Sequence, residues 1–317
     1  MQNIAQPDLN ILDFSSLTRQ PYDDSWITIG NFDGVHRGHQ AIITGMVESA
    51  QLHAQPVLVV TFYPNPFVFF NQPVEAYYLS TPREKERQLL ALGVDQVIIL
   101  RFDAEFAALS AETFLLKLKQ NLGLDTLVIG QDFALGKGRE GSVPVLKAIG
   151  AVHGFTVEAI QQVDLGGKEI SSTRIRQFLD QGAVDRAAEL LGHPYAVAGE
   201  VIHGSQRGSR IGLPTVNINH WPLKKLPAVG VYASHVHFKD QVYHGITNVG
   251  LRPTFEHQSK ANVETHILDF AEDIYGERIE LAFIKKLRDE QKFSSVEAFL
   301  TQIERDKAQA QRIFQHG

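Results

Sequence analysis

His36 and His39 stand three residues apart in the stretch Ile27 to Ala41, Ile-Thr-Ile-Gly-Asn-Phe-Asp-Gly-Val-His-Arg-Gly-His-Gln-Ala. A short β-branched run precedes them and an apolar helical pattern follows, with Gly30, Gly34 and Gly38 loosening the backbone between. The stretch predicts a strand, a turn and a helix start. Such a junction presents free backbone N–H groups and the positive end of a helix dipole, which favour an anion, most often a phosphate. Two imidazoles there can donate hydrogen bonds to a polyphosphate whose charge grows in the transition state, which is electrostatic catalysis without a covalent step. The plainer reading is a glycine-rich α/β turn with one capping and one surface histidine. Zinc is a weaker rival, because no Glu stands beside the first histidine as on a metalloprotease helix and the chain has no cysteine.

A second constellation lies at Pro214-Thr215-Val216-Asn217, after a loop rich in glycine and arginine, Gly204 to Gly212. On a strand Thr215 and Asn217 share one face, so a hydroxyl and an amide oxygen are presented together. That pair suits a hard cation such as Mg²⁺, which keeps several waters and bridges protein to nucleotide phosphates. The plainer reading is a polar strand face turned to solvent.

Positioning two such sites takes two architectures. The chain has 317 residues, ample for two domains at the usual ~100 to 200 residues each. At 44% hydrophobic and 21% charged residues, neither disorder nor a coiled coil is indicated. The absence of cysteine excludes disulfides and thiolate chemistry and fits a reducing compartment, so a cytoplasmic location is expected. Met1 to Asn10 carries no basic region followed by an apolar one, and no apolar run approaches the ~20 residues that span a bilayer, so no membrane partner is expected. A formal net charge of −6 disfavours nonspecific nucleic-acid binding.

Strand-like runs begin near Trp26, Pro56, Asp95, Asp125 and Phe155, spaced as strand-helix-strand units require. Between them Ile42, Ile43, Met46, Val47 and Ala50 recur at helical spacing, Thr81-Pro82-Arg83-Glu84 reads as a capping box, and Ser110 and Ser142 read as caps. This alternation predicts a parallel sheet covered on both faces, with ligands at the carboxyl ends of its strands. Residues 30 to 39, 61 to 65 and 130 to 136 fall at such ends. Ser171 or Ser172 is expected to cap a short helix carrying Arg176, a last helix spans Ala183 to Leu191, and His193-Pro194 breaks the pattern. From Tyr195 on, apolar alternation recurs near 196–203, 214–219, 229–238, 241–249, 262–270 and 279–287, as in an antiparallel barrel. The C-terminus returns to helix. Ser294-Ser295-Val296-Glu297 reads as its capping box, and Val296, Phe299, Leu300, Ile303, Ile313 and Phe314 form its apolar stripe.

The residues themselves carry a resemblance. Gly30-Asn31-Phe32-Asp33-Gly34-Val35-His36-Arg37-Gly38-His39 resembles the opening of the bacterial bifunctional riboflavin kinase/FAD synthetase family, and its His-x-Gly-His element is the signature of the wider nucleotidylyltransferase superfamily. Ile170-Ser171-Ser172-Thr173-Arg174-Ile175-Arg176 resembles the superfamily's Ile-Ser-Ser-Thr-x-x-Arg motif, and Gly130-Gln131-Asp132-Phe133-Ala134-Leu135-Gly136 resembles the family's Gly-x-Asp-Phe-x-x-Gly segment. Gly208-Ser209-Arg210-Ile211-Gly212-Leu213-Pro214-Thr215-Val216-Asn217 is similar to the flavokinase signature. Asn248 to Phe255, Glu264 to Phe270 and Phe283 to Phe293 look like further flavokinase segments.

The resemblance implies a Rossmann-like FMN adenylyltransferase domain over 1–186 and a β-barrel riboflavin kinase domain with a terminal helix over 187–317. Its ligands would be riboflavin, FMN, FAD and ATP, with Mg²⁺. It also implies nucleotide contacts from Gly30, Asn31, Asp33, Gly34, Asp132, Ser171, Ser172, Thr173, Gly208 and Gly212, metal contacts from Thr215 and Asn217, and catalytic roles for His36, His39, Arg176 and Glu264. A ribityl hydroxyl holds its proton at neutral pH, so phosphorylating it needs a base, for which Glu264 is the candidate, with His266 as a buttress. An FMN phosphate, with a second pKa of about 6, is already a dianion and needs none.

The sequence departs from the family at Asn65, where a His is usual before Pro66, and at Leu213 and Val216, where Phe and Ala are commoner. Two alternatives stand beside the bifunctional reading: a riboflavin kinase with a degenerate adenylyltransferase site, and a non-catalytic flavin-responsive regulatory protein. A carboxylate base beside the Thr215 and Asn217 pair argues against the last. No oligomeric state follows from the sequence.

Overall fold

The five expected N-terminal strands form, and a sixth joins them at the edge. The structure, a computed structural model, describes residues 10–72, 76–161, 164, 166–204, 213–252 and 260–316. It divides into two compact units, residues 1–171 and 172–317. In the first, β1 (Ile11–Leu12), β2 (Ser25–Ile29), β3 (Val57–Tyr63), β4 (Gln96–Arg101), β5 (Leu124–Gly130) and β8 (Thr156–Ile160) make one parallel sheet in the order β1-β4-β3-β2-β5-β8. A separate small hairpin pairs β6 (Ala134–Leu135) with β7 (Gly141–Ser142). β1, β6 and β7 are two-residue strands, too short to show a period.

Successive strand residues point to opposite faces, so each strand feeds two cores. Leu58 and Val60 join Ile27, Ile29, Leu127 and Ile129 beneath Leu115, Leu118 and Leu122 of α5 (Ala111–Leu122) and Leu146 of α6 (Val143–His153). Val57 and Val59 join Trp26 and Val128 beneath Ile43, Met46, Val47 and Ala50 of α1 (Arg37–Gln51) and Leu89 of α3 (Pro82–Leu90). β3 and β4 lie to one side of β2, whereas β5 lies to the other. The carboxyl ends of β2 and β5 therefore frame the switch point of the sheet, where open α/β sheets bind ligands.

Short helices α2 (Pro66–Asn71) and α4 (Ala104–Ala107) complete this unit. The Thr81–Glu84 capping box forms with both reciprocal bonds, and Ser110 caps α5 through the Thr113 N–H. Ser142 takes the N-cap position of α6 without a side-chain bond.

The second unit begins with α7 (Ser172–Asp180) and α8 (Val184–Leu191), so the sequence boundary at 186/187 falls inside α8. Six antiparallel strands follow: β9 (Tyr195–Ile202), β10 (Val216–His220), β11 (Gly230–Phe238), β12 (Gln241–Arg252), β13 (Lys260–Ile267) and β14 (Arg278–Arg288). They close as β10-β13-β12-β11-β14-β9. Val201, Ile218, Val236, Val263, Ile267, Ile279 and Leu281 pack as one apolar core. A string of buried hydroxyls also crosses three strands, Ser234 to Thr247 at 2.6 Å and Thr247 to Thr265 at 2.8 Å.

The Leu179 carbonyl accepts from the Ala228 N–H at 2.8 Å. Gly182, at φ +72, lies where a Cβ would meet the Tyr232 hydroxyl at 2.9 Å. The terminal helix α9 (Val296–His316) lays Ala310, Ile313 and Phe314 on Val231, Ala233 and Ile246. Its cap is Ser295, whose Oγ accepts from the Ala298 N–H at 3.2 Å, one residue later than the capping-box reading. Val296, expected in the apolar stripe, is 50% exposed.

Candidate active sites

The turn after β2 is bolted from below. Asp33 is buried, and its carboxylate accepts from the Leu79 N–H at 3.0 and 3.2 Å and from the Ser80 N–H at 3.1 Å. Ser80 Oγ in turn accepts from the Gly34 N–H at 3.0 Å. These bonds hold a backbone that would not adopt this path unaided: Phe32 sits at φ +47 and the β-branched Val35 at φ +35, a region that disfavours such side chains. Asp33, expected among the nucleotide contacts, shapes this turn through those bonds.

α1 then starts at Arg37 with His36 as N-cap, its Nδ1 accepting from the His39 N–H at 3.4 Å. In the neutral ring that places the proton on Nε2. The two imidazoles stack with centroids 3.6 Å apart and planes 17° off parallel, and Phe32 meets His39 edge-on at 5.1 Å. A Cβ on Gly38 would come within 3.2 Å of the His36 ring, so the glycine between the histidines is part of the stack. Burial, reinforced by His36 and Lys85, holds His39 well below its ordinary pKa, so the ring is neutral at pH 7. Its Nδ1 is buried and has no hydrogen-bond partner among the described residues.

Gly30, Asn31, Asp33, Gly34, His36, His39 and Gly130 thus gather at one end of the sheet. The exposed Asp132 follows Gly130 in the turn after β5, its carbonyl accepting from Arg139 at 3.3 Å. Ser171 closes the first unit. Ser172, Thr173 and Arg176 ride on α7 in the second, where the Arg174 guanidinium lies 5.7 Å from the centre of the Phe178 ring. Asn65, in place of the family's usual His, N-caps α2 by accepting from the Phe67 N–H at 2.9 Å. Its own N–H donates to the Tyr78 hydroxyl at 2.9 Å.

Lys85, which sequence reading missed, is 7% exposed, with Nζ 3.0 Å from the Asn31 carbonyl oxygen and 2.8 Å from Thr61 Oγ1. The available signal was its place on the apolar face of α3, where Pro82, Lys85 and Leu89 are the buried positions.

In the barrel, strand register supplies the second constellation. Glu264 on β13 lies directly opposite Asn217 on β10 and opposite Asn248 on β12, so all three share a face, while Thr265 turns inward to the hydroxyl string. Thr215 Oγ1 donates to the Glu264 carboxylate. His266 donates from Nδ1 to the Pro214 carbonyl at 2.7 Å, anchoring the approach to Thr215. Gly204 lies so close that a Cβ there would stand 2.0 Å from Asn217 Nδ2. Gly208 and Gly212 lie outside the described residues.

The donor set fits Mg²⁺. A hydroxyl that gives its proton to Glu264 keeps lone pairs for a cation, Asn217 adds an amide oxygen, and both are hard oxygen ligands. No group of three or more His, Cys, Asp or Glu residues suited to a metal occurs among the described residues.

Comparison with known proteins agrees with this division. A model of FAD synthetase matches residues 18–174 and a model of riboflavin kinase matches residues 191–314. The chain is 40% identical over 303 residues to the bifunctional riboflavin kinase/FMN adenylyltransferase of Escherichia coli K12, covering 94% of this chain and 96% of that one.

The chain belongs to the riboflavin kinase/FMN adenylyltransferase family.

Other members include those of Pseudomonas fluorescens, 41% identical with 90% of this chain and 92% of that one covered, and of Bacillus subtilis, 35% identical with 94% and 95% covered. A solved Streptococcus pneumoniae structure described as a macrolide-efflux protein superposes with a TM-score of 0.87 at 32% identity. It covers 94% of this chain and 97% of that one. No described helix here is long and apolar enough to cross a membrane.

Proposed function

We propose that the chain is a bifunctional flavin-cofactor enzyme, phosphorylating riboflavin to FMN with ATP and adenylylating FMN to FAD with release of pyrophosphate. Family membership over nearly the whole chain supports both steps. The observation that carries the reading is the pairing of a stacked His36–His39 turn, with His39 neutral, at a sheet switch point with a Thr215–Glu264–Asn217 cluster on a barrel. By function, residues 1–186, including Arg176, take the adenylyl transfer and 187–317 the phosphorylation.

In the kinase step Glu264 accepts the ribityl hydroxyl proton as the oxygen attacks the γ-phosphorus of ATP, and ADP leaves. Thr215 orients the carboxylate and, with Asn217, would hold Mg²⁺. When bound, the cation neutralises phosphate charge and aligns the transferred group. In the adenylyl step the FMN phosphate oxygen attacks the α-phosphorus and pyrophosphate departs. Gly30, Asn31, Gly34, Asp132, Ser171, Ser172 and Thr173 would line the nucleotide, Asp33 holds the turn, and His36, His39 and Arg176 stabilise the growing charge. The substrates are small molecules, and a lack of cysteine supports a cytoplasmic setting.

Chromatography of riboflavin, ATP and Mg²⁺ incubated with the purified protein tests the whole reading. FMN and then FAD are expected. FMN alone would point to a degenerate first site, and neither product would leave a binding protein.

A further inference from the structure

α3 turns Lys85 inward, beneath the turn that carries the histidines. Its ammonium donates to the Asn31 carbonyl at 3.0 Å and to Thr61 Oγ1 at 2.8 Å, at the carboxyl edge of the sheet. Structural need does not explain it. The Thr61 hydroxyl already donates to the same Asn31 carbonyl at 3.2 Å, so neither acceptor requires the lysine. Asp33 favours the charge, yet its carboxylate is turned onto the backbone of Leu79 and Ser80. A buried ammonium without a dedicated counter-ion opposes folding. Burial accordingly lowers the Lys85 pKa to about 8. The field of Lys85 also reaches His39, which it helps to keep neutral.

A polyphosphate bound at this turn accumulates negative charge in adenylyl transfer, and a neutral His39 meets it with a dipole alone. We propose that Lys85 is a positioning residue that serves as a buried positive charge of the adenylyl-transfer site, held behind the Gly30–Asn31 turn so that it acts on the polyphosphate through the site rather than by touching it. A charge in a low-dielectric interior acts over such a range far better than one in water, and it needs no reorganisation during the reaction. The inference rests on the adenylyltransferase reading above.

The test uses the full chain with Lys85→Met, close in shape but uncharged, and Lys85→Gln, which keeps a hydrogen-bond donor. FAD formation from supplied FMN is followed between pH about 7 and 10, with a thermal melt and riboflavin phosphorylation as folding controls. For both variants kcat for FAD should fall on the order of tenfold or more with little change in KM. Tm should hold or rise, and the parent's loss of kcat above pH about 8 should be absent. Parental kcat in Lys85→Gln would make the residue a hydrogen-bonding prop and overturn the proposal, as would a loss of kcat matched by a fall in Tm. A parent that makes no FAD would instead remove the adenylyltransferase reading.

Discussion

In the proposed mechanism the two sites act on phosphorus centres with different attacking groups, and their side chains differ accordingly. At the barrel the nucleophile is a protonated hydroxyl, and a carboxylate stands there, bound by Thr215 and flanked across the sheet by Asn217 and Asn248. At the switch point the nucleophile is already a dianion. There the structure offers two stacked imidazoles, with His39 neutral, and a buried lysine, while the Asp33 carboxylate accepts from backbone N–H groups. Which group must lose a proton decides where an acidic side chain is useful.

Glu264→Gln tests that contrast most severely. The amide keeps shape but cannot take a proton, so riboflavin phosphorylation should fall 10²-fold or more, in the range a general base contributes, with riboflavin affinity little changed. Conversion of supplied FMN to FAD should continue at the parental rate. Phosphorylation at the parental rate would erase the distinction between the sites.

His39→Ala approaches from the other side. Loss of a transition-state donor should lower FAD formation by about 10²-fold and leave FMN formation intact, as product chromatography would show. Equal rates in mutant and parent would remove the imidazole from the mechanism.

Gly204→Ala sharpens the comparison at its weaker end. The new Cβ would displace Asn217, and a misplaced ligand should reduce phosphorylation by roughly tenfold, with a higher demand for Mg²⁺, while adenylylation is spared. An unchanged Mg²⁺ titration would take Asn217 out of the cation site.

The smallest effect concerns acid stability. His39 has a depressed pKa in the folded chain, so its contribution is fully present above the unfolded value near 6.5 and is lost as pH falls toward the folded value. His39→Asn should therefore flatten the decline of Tm between pH 6.5 and about 5. At the barrel site burial also lowers the pKa of His266, so the same sign of pH dependence is expected there, and Glu264→Gln leaves that imidazole in place.

The strands of the first unit were legible as short apolar runs, because they are buried on both faces, and those of the second by their alternation. Val57 to Val60 are apolar throughout and feed two cores in turn, whereas the barrel strands alternate apolar with polar residues and have turns between them. Thr215, Asn217 and Glu264 were legible as residue types, but the apposition of Asn217 and Glu264, and the place of Asn248 beside them, depend on register across strands far apart in the chain. Asp33 shows a different gap. Its neighbours in sequence suggest a ligand, whereas its direction is set by Leu79 and Ser80, 46 and 47 residues away. Lys85 was hidden by composition, since a lysine in a charged helix reads as surface until its facing is known.

Glu264 and Thr265 are neighbours that look to opposite sides of one strand, and Thr265 is tied through Thr247 to Ser234. A slip of β13 by a single position would carry the carboxylate into the interior and turn Thr265 out. The tied hydroxyls oppose that slip, because it would strand buried polar atoms on three strands at once. Mutational tolerance in this part of the barrel should therefore be lopsided: conservative exchanges can be absorbed one at a time, whereas inserting or deleting one codon within β11, β12 or β13 would abolish phosphorylation even where the altered chain still folds.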